Sequence, residues 1–503
     1  MSHHHNPFND DEEPTTNDLW ELVSNGTGTA RTDAMITLAQ RFYHESKYGD
    51  AASMQERLAD VFIEEESPDD AVVAFARATN AWTEAEEWDS IEAVAERVKS
   101  LEDKAFSGDA WRDYYQAYAW SAYLRRASVV ALEFVERALS HTSEFSSLHI
   151  RASLQWQKGT IVATFGRTRE ALAILEGALL DARESNSIPL VIDILSEMAQ
   201  LEVQLLNANR ALALTEEART LMTDSFVWPA LRQQVEYARG CALLAAGHVA
   251  EAVPILEQLV EMQPPYAKIR TMIRLAECGH EKSESWESRA YVLARNTNTW
   301  DLLNHLEINR AMRTDAMLAI PVLDTVISRA VEYDDDDSRD AARLVLARKY
   351  LELGDFPAAM GVLEKISAVN FGDDMVKVIT YFVLRAETLL ELGDLVEARS
   401  IATTLTRLDS RREFLAGIAE GFWQLALIEF ATNGSTREWE HLAHSSIAHL
   451  ARAEEFELLS ARAQLLQMAP VDDVNPFSKS IDTVEDLIAD IRDEQDPFAT
   501  AAA

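Results

Sequence analysis

The sequence predicts an all-α protein, a right-handed superhelical solenoid of antiparallel helix hairpins. Three observations lead there. Apolar residues recur at helical spacing along most of the chain. Small residues form pairs twelve apart, and these pairs recur about every 40 residues. Glycines stand between the members of several pairs, where the chain must reverse and a left-handed backbone costs glycine little.

The elements follow in order. Residues 1–30 read as a flexible acidic arm with at most a short helix, NDLWELV. Residues 31–108 read as four helices continuous with the array: TDAMITLAQRFYHES, DAASMQERLADVFIEEE, PDDAVVAFARATNAWTEA and DSIEAVAERVKSLED. Pro68 suits the first turn of its helix, with Ser67 as cap. From 109 to 469 a 40-residue register takes over. Its pairs are Ala119/Ala131, Gly159/Ala171, Ala199/Ala211, Gly240/Ala252, Cys278/Ala290, Ala347/Ala359 and Ala386/Ala398. A small residue in each helix, twelve apart across a turn, lets two helix axes approach closely. Turn glycines are expected at Gly166, Gly247, Gly354 and Gly393. One degenerate hairpin, about 300–333, carries Ile308 and Ile320 instead. The last hairpin replaces the small pair with Leu427 and Trp439, as a terminal cap with one neighbour allows. A further helix, EEFELLSARAQLLQM, is expected to cover the end.

Residues 470–503 read as an acidic, largely disordered tail. Within it Ile481, Val484, Leu487, Ile488 and Ile491 mark a short amphipathic helix. It either docks on the array or recognises another protein.

Composition sets the outer limits. At 503 residues the chain exceeds what one compact core usually holds, and 48% hydrophobic content is ample for burial. Against 84 acidic residues stand 46 basic ones, a formal charge of −38. That field disfavours nucleic acid and anionic lipid and favours neutral or basic protein partners. Cys241 and Cys278 are too few for a disulfide framework, and they suit a reducing cytoplasm. No stretch is long and apolar enough to span a membrane, and the polar start lacks the features of a secretory signal.

The small residue in helix one, the turn glycine and the alanine in helix two resemble the tetratricopeptide repeat over about residues 109–451. Pro264 falls where that family often has a closing proline, and Tyr115 at its early aromatic. Two departures stand out. The family's usual period is about 34 residues, and Gln155, with Trp156 beside it, holds the aromatic position before Gly159. The longer period is similar to that of bacterial transcription regulators and peptide-responsive regulators.

Such an array has a concave groove lined by the first helix of each hairpin. Positions one after the small residue, or three or four before it, should face that groove. The candidates are Gln116, Trp120, Tyr123, Trp156, Thr160, Gln200, Gln204, Tyr237 and Arg348. Aromatics beside amides suit peptide recognition. The paired Lys and Asn with which some family members clamp a terminal carboxylate are missing at matching positions. Three tripeptides, Asn6-Pro7-Phe8, Asn475-Pro476-Phe477 and Asp496-Pro497-Phe498, form a second candidate set for docking, or else ordinary turns.

Signals for chemistry are weak. His441 and His444 share a helix face but lack a third metal ligand. The run Asp334–Asp337 lacks a calcium-loop glycine and has Val345 at the twelfth position, so it should cap a helix instead. No phosphate loop, nucleophile elbow or dinucleotide fingerprint occurs. The expectation is therefore a non-enzymatic scaffold or adaptor without cofactor or metal, binding a protein or peptide in its groove. The alternative is a regulator whose superhelix changes shape when a peptide or small molecule binds.

Overall fold

The computed structural model describes residues 14–142, 146–205, 207–223, 228–333, 335–367, 371, 374–408, 415–453 and 462–463. All regular structure in these residues is helical. The chain forms two compact units, residues 1–201 with 213–235, and residues 202–212 with 236–503.

Unit 1 opens with α1 (Thr16–Asn25), α2 (Thr29–His44), α3 (Tyr48–Glu64), α4 (Pro68–Glu84) and α5 (Trp88–Lys99). It continues with α6 (Gly108–Leu124), α7 (Ser128–Ser140), α8 (Leu148–Ala163) and α9 (Thr168–Glu184). Helices α10 (Ile188–Gln204), α11 (Ala208–Thr223) and α12 (Pro229–Ala245) each contribute to both units. Unit 2 holds α13 (Val249–Met262), α14 (Pro265–Glu277), α15 (Ser283–Asn296), α16 (Trp300–Met312) and α17 (Ala316–Glu332). It ends with α18 (Asp336–Glu352), α19 (Phe356–Leu363), α20 (Met375–Leu392), α21 (Leu395–Leu405), α22 (Leu415–Asn433) and α23 (Arg437–Ala453).

From Tyr48 to Ala208 the helices begin every 20 residues. The step is a helix of up to four or five turns plus a tight reversal. The reversals before α3, α4, α5, α7, α9 and α10 each hold one left-handed residue two places before the next helix. Gly166 serves at φ +69°, as its position in the sequence predicts, but Ser46, Glu66, Glu86, Arg126 and Asn186 do the same at φ +55° to +65°. Gly247, Gly354 and Gly393 are left-handed as expected, at +78°, +72° and +85°.

The uniform step carries the 40-residue register back before residue 109. Ala39 and Ala51 are a twelve-residue pair, 2% and 1% exposed, and Thr79 and Ile91 are the next, both fully buried. The small pairs from Ala119 onward are buried too, half-buried Cys278 excepted, and Gly159 shows why small residues are needed. A Cβ there would lie 2.8 Å from the Leu175 side chain and 3.4 Å from the Ala171 carbonyl oxygen. At Gly240 the Leu256 side chain would be 2.5 Å away.

Several local expectations are met or corrected. α1 is the short helix at NDLWELV, and its Leu19 and Val23 join the core at 1% and 2% exposure. A capping box of Thr15 and Asp18 starts it. Ser67 does stand at the N-cap of α4, but its hydroxyl donates to the Asp70 carboxylate at 3.0 Å rather than capping a backbone N–H. Asp335 caps α18 by accepting from the Ser338 N–H at 3.0 Å. Cys278 is not inside a helix: it ends α14, and its thiol donates to the Leu275 carbonyl at 3.1 Å. In the last hairpin the close approach falls to glycines that the repeat pattern did not flag. A Cβ on Gly421 would meet the Ala402 carbonyl at 2.9 Å, and one on Gly417 would meet Ile379 at 2.8 Å.

Within each unit, first helices of neighbouring hairpins touch: α4 with α6, α6 with α8, α16 with α18, α18 with α20, and α20 with α22. The second helices make no comparable contact among the described residues. First helices therefore crowd one side of each stack, and that side is where a ligand can meet several hairpins at once.

Candidate functional site

The site is built on the first helices of unit 1. Trp120 of α6 stacks on Tyr123 one turn further, with ring centroids 5.0 Å apart. It also meets Trp156 of α8 at 5.3 Å, so aromatic contact runs from one hairpin into the next. Gln116 donates to the Ser153 hydroxyl across the same two helices at 3.0 Å.

Beside this ladder lie polar atoms without partners. Thr160 Oγ1 and Gln157 Oε1 are buried, their residues 4% and 7% exposed, and neither has a hydrogen bond among the described residues. Trp156 Nε1 is likewise buried and unbonded. Orphaned buried groups cost about 1–3 kcal/mol each, so three on two turns of one helix are notable.

A cavity of about 360 Å³ adjoins the ladder, and Trp120 belongs to both. Its floor is small: Ala39 of α2, Ala51 of α3 and Ala81 of α4. Ala39 and Ala51 are themselves the earliest twelve-residue pair, so the packing that draws α2 and α3 together also hollows the surface. Gln55 of α3 lies at the base, 6% exposed, with its Oε1 buried and unbonded. Arg77, Asn80 and Glu84 share one face of α4 at helical spacing and form one wall. Gln40, Tyr43 and His44 of α2 form the other.

Electrostatics mark the same place. Burial pushes the Tyr43 hydroxyl up to about 12, helped by the negative charge of Glu84 and by Tyr48. Burial also raises the Glu84 carboxyl above its ordinary range.

Of the sequence-predicted residues, Gln116, Trp120, Tyr123, Trp156 and Thr160 therefore lie together on α6 and α8. Gln200 and Gln204 are on α10, half-buried and exposed respectively. Gln200 makes a long contact to the Ser196 carbonyl at 3.5 Å. In unit 2, Tyr237 is 7% exposed with the Arg270 guanidinium 5.1 Å above its ring. Arg348 pairs with Glu387 of the next first helix, α20, at 3.0 Å. The six residues of the Asn-Pro-Phe tripeptides and the three of Asp-Pro-Phe lie outside the described residues, as does the amphipathic segment 481–491.

Sequence reasoning missed Gln40 and Asn80. Both hold the place of Trp120, one after the small residue, in the two hairpins where the register was not recognised. A search for the twelve-residue pair at Ala39/Ala51 would have found the first.

Other candidates are quieter. Cys241 and Cys278 are free thiols, and burial pushes the Cys241 thiol up, away from reactivity. Burial lowers the His444 pKa, which suits a packed imidazole. Among the described residues no group of three or more His, Cys, Asp or Glu side chains is placed to hold a metal ion. Nor is any helix long and apolar enough to cross a membrane.

No protein-family profile matches the chain, and no curated protein matches it. Among solved structures it is similar to a Rap protein complexed with competence and sporulation factor. That match has a TM-score of 0.36 and 11% identity, covering 74% of this chain and 100% of the other. It is also similar to the apo form of RapI, with a TM-score of 0.33 and 10% identity over 84% and 98% of the two chains.

Proposed function

We propose that the chain is a non-enzymatic binding protein, a scaffold or adaptor that takes a protein or peptide segment along the first helices of unit 1. One observation carries this reading: the Trp120–Tyr123–Trp156 ladder with unbonded, buried Thr160, Gln157 and Trp156 polar atoms beside it. Rigid aromatic area supplies contact at low entropic cost, and the orphan groups supply direction. A peptide backbone offers both a donor and an acceptor at each residue, which matches an unbonded indole N–H and two unbonded acceptors. The net charge of −38 favours a neutral or basic segment, and two free thiols suit the cytoplasm.

A ligand-responsive regulator is the second reading. It is favoured by the double membership of Trp120, which lines the cavity and anchors the ladder.

The test is peptide-display selection on the full chain, followed by titration of the selected peptides. Trp120→Ala and Trp156→Ala should each weaken binding at least tenfold without lowering helicity. Peptides that bind both variants as tightly as the parent chain would remove the groove from consideration.

A further inference from the structure

The cavity beneath Trp120 holds a chemical pattern that the groove reading does not use. Gln40, His44, Arg77, Asn80 and Glu84 converge on it, and none forms a hydrogen bond or ion pair with a described residue. Nearby side chains behave differently. Arg97 pairs with Glu56 at 2.6 Å and with Asp60, and Trp82 donates to Glu56 at 2.7 Å. Arg41 donates to Thr16 and to the Pro14 carbonyl, both at 2.9 Å. Arg77, exposed and without a carboxylate partner among the described residues, is free to meet an anion.

The pattern has a sign at each end. Arg77 and Glu84 stand seven residues apart on one face of α4, about 10 Å along the axis. Between them, Gln55 offers a buried acceptor from the floor. Trp120 and Tyr43 contribute ring surface, and the alanine floor leaves room for a small body only.

We propose that this cavity is a small-molecule subsite for a free α-amino carboxylate, an amino acid in its simplest form. Its carboxylate meets Arg77 and Asn80. Its ammonium donates to Gln55 Oε1 and faces Glu84. Its side chain lies against Trp120. An inorganic anion would leave Gln55 and Glu84 unanswered, and a simple cation would be repelled by Arg77. A peptide interior carries neither charge, and a peptide terminus carries one of the two. The volume of about 360 Å³ falls within the usual range for small-ligand sites.

The experiment is calorimetric titration of the full chain with the twenty free amino acids. The N-acetyl and carboxamide forms of whichever binds follow. At least one amino acid should bind saturably below 1 mM. Its affinity should fall at least tenfold in Arg77→Ala, whose side chain is exposed and whose loss leaves the core intact, and in Gln55→Leu. Both blocked forms should bind at least tenfold more weakly. Absence of binding by all twenty, or binding unchanged in Arg77→Ala, overturns the proposal. Equal binding of the N-acetyl form also overturns it, since that assigns the site to a peptide end. The selected-peptide titration with Trp156→Ala reads the groove separately, because Trp156 does not line the cavity. The two readings can therefore fail independently.

Discussion

Asp193 lies on α10 with its carboxyl largely removed from water and Glu197 one turn along the same helix. Burial first, and the neighbouring charge second, raise its pKa to about 7. An unfolded aspartate ionises near about 3.9. The folded chain therefore holds a proton that the unfolded chain releases between those values. The stabilisation from that proton is complete below about pH 4 and is lost as pH rises to about 7. Asp193→Asn keeps the shape and removes the ionisation. Its melting temperature should exceed that of the parent at pH 8, and the gap should close at pH 4, followed by circular dichroism. An equal gap at both values would show that the carboxyl does not titrate in this range.

The reversals between helices show how residues and elements constrain one another. A left-handed conformation costs a side-chain-bearing residue about 1–2 kcal/mol, yet Glu66 and Glu86 adopt it at φ +56° and +57°. Glycine fits there without strain but loses more freedom on folding, so the net gain is smaller than the strain removed. Glu66→Gly and Glu86→Gly should each stabilise by about 0.5–1 kcal/mol, read as a raised denaturant midpoint at unchanged slope. These turns also explain what the sequence concealed. A repeat search guided by glycine finds the hairpins at Gly166, Gly247, Gly354 and Gly393. It passes over the reversals at Ser46, Glu66, Glu86, Arg126 and Asn186, whose residue types do not announce a positive φ. The pair Thr79/Ile91 is hidden for a related reason, because neither residue is small. The register of residues 29–108 was therefore legible only through helix spacing and the single small pair Ala39/Ala51, and with it went Gln40 and Asn80 of the cavity lining. The aromatic half of the site was easier to see. Trp120, Tyr123 and Trp156 stand out by type and sit in hairpins whose small pairs were plain. Which polar atoms lack partners was beyond any sequence pattern, since that depends on where each side chain finds its neighbours.

At the scale of the whole molecule, hairpins packed against their neighbours give stability that is nearly a sum over adjacent interfaces. The even helix step of unit 1 has a consequence for how such a chain tolerates change. Ser128 and Thr168 occupy the same place in successive second helices, 40 residues apart. Excising residues 128–167 splices the end of α6 onto the start of α9, and Ala119 then faces Ala171 where it had faced Ala131. Parts cut to one gauge are interchangeable, so the shortened chain should still fold as a helical protein with a lower melting temperature, while the same excision shifted by ten residues should yield an unfolded one. Whole modules of forty residues, rather than single helices or turns, are thus the units in which such a stack can be lengthened or shortened without redesigning a joint.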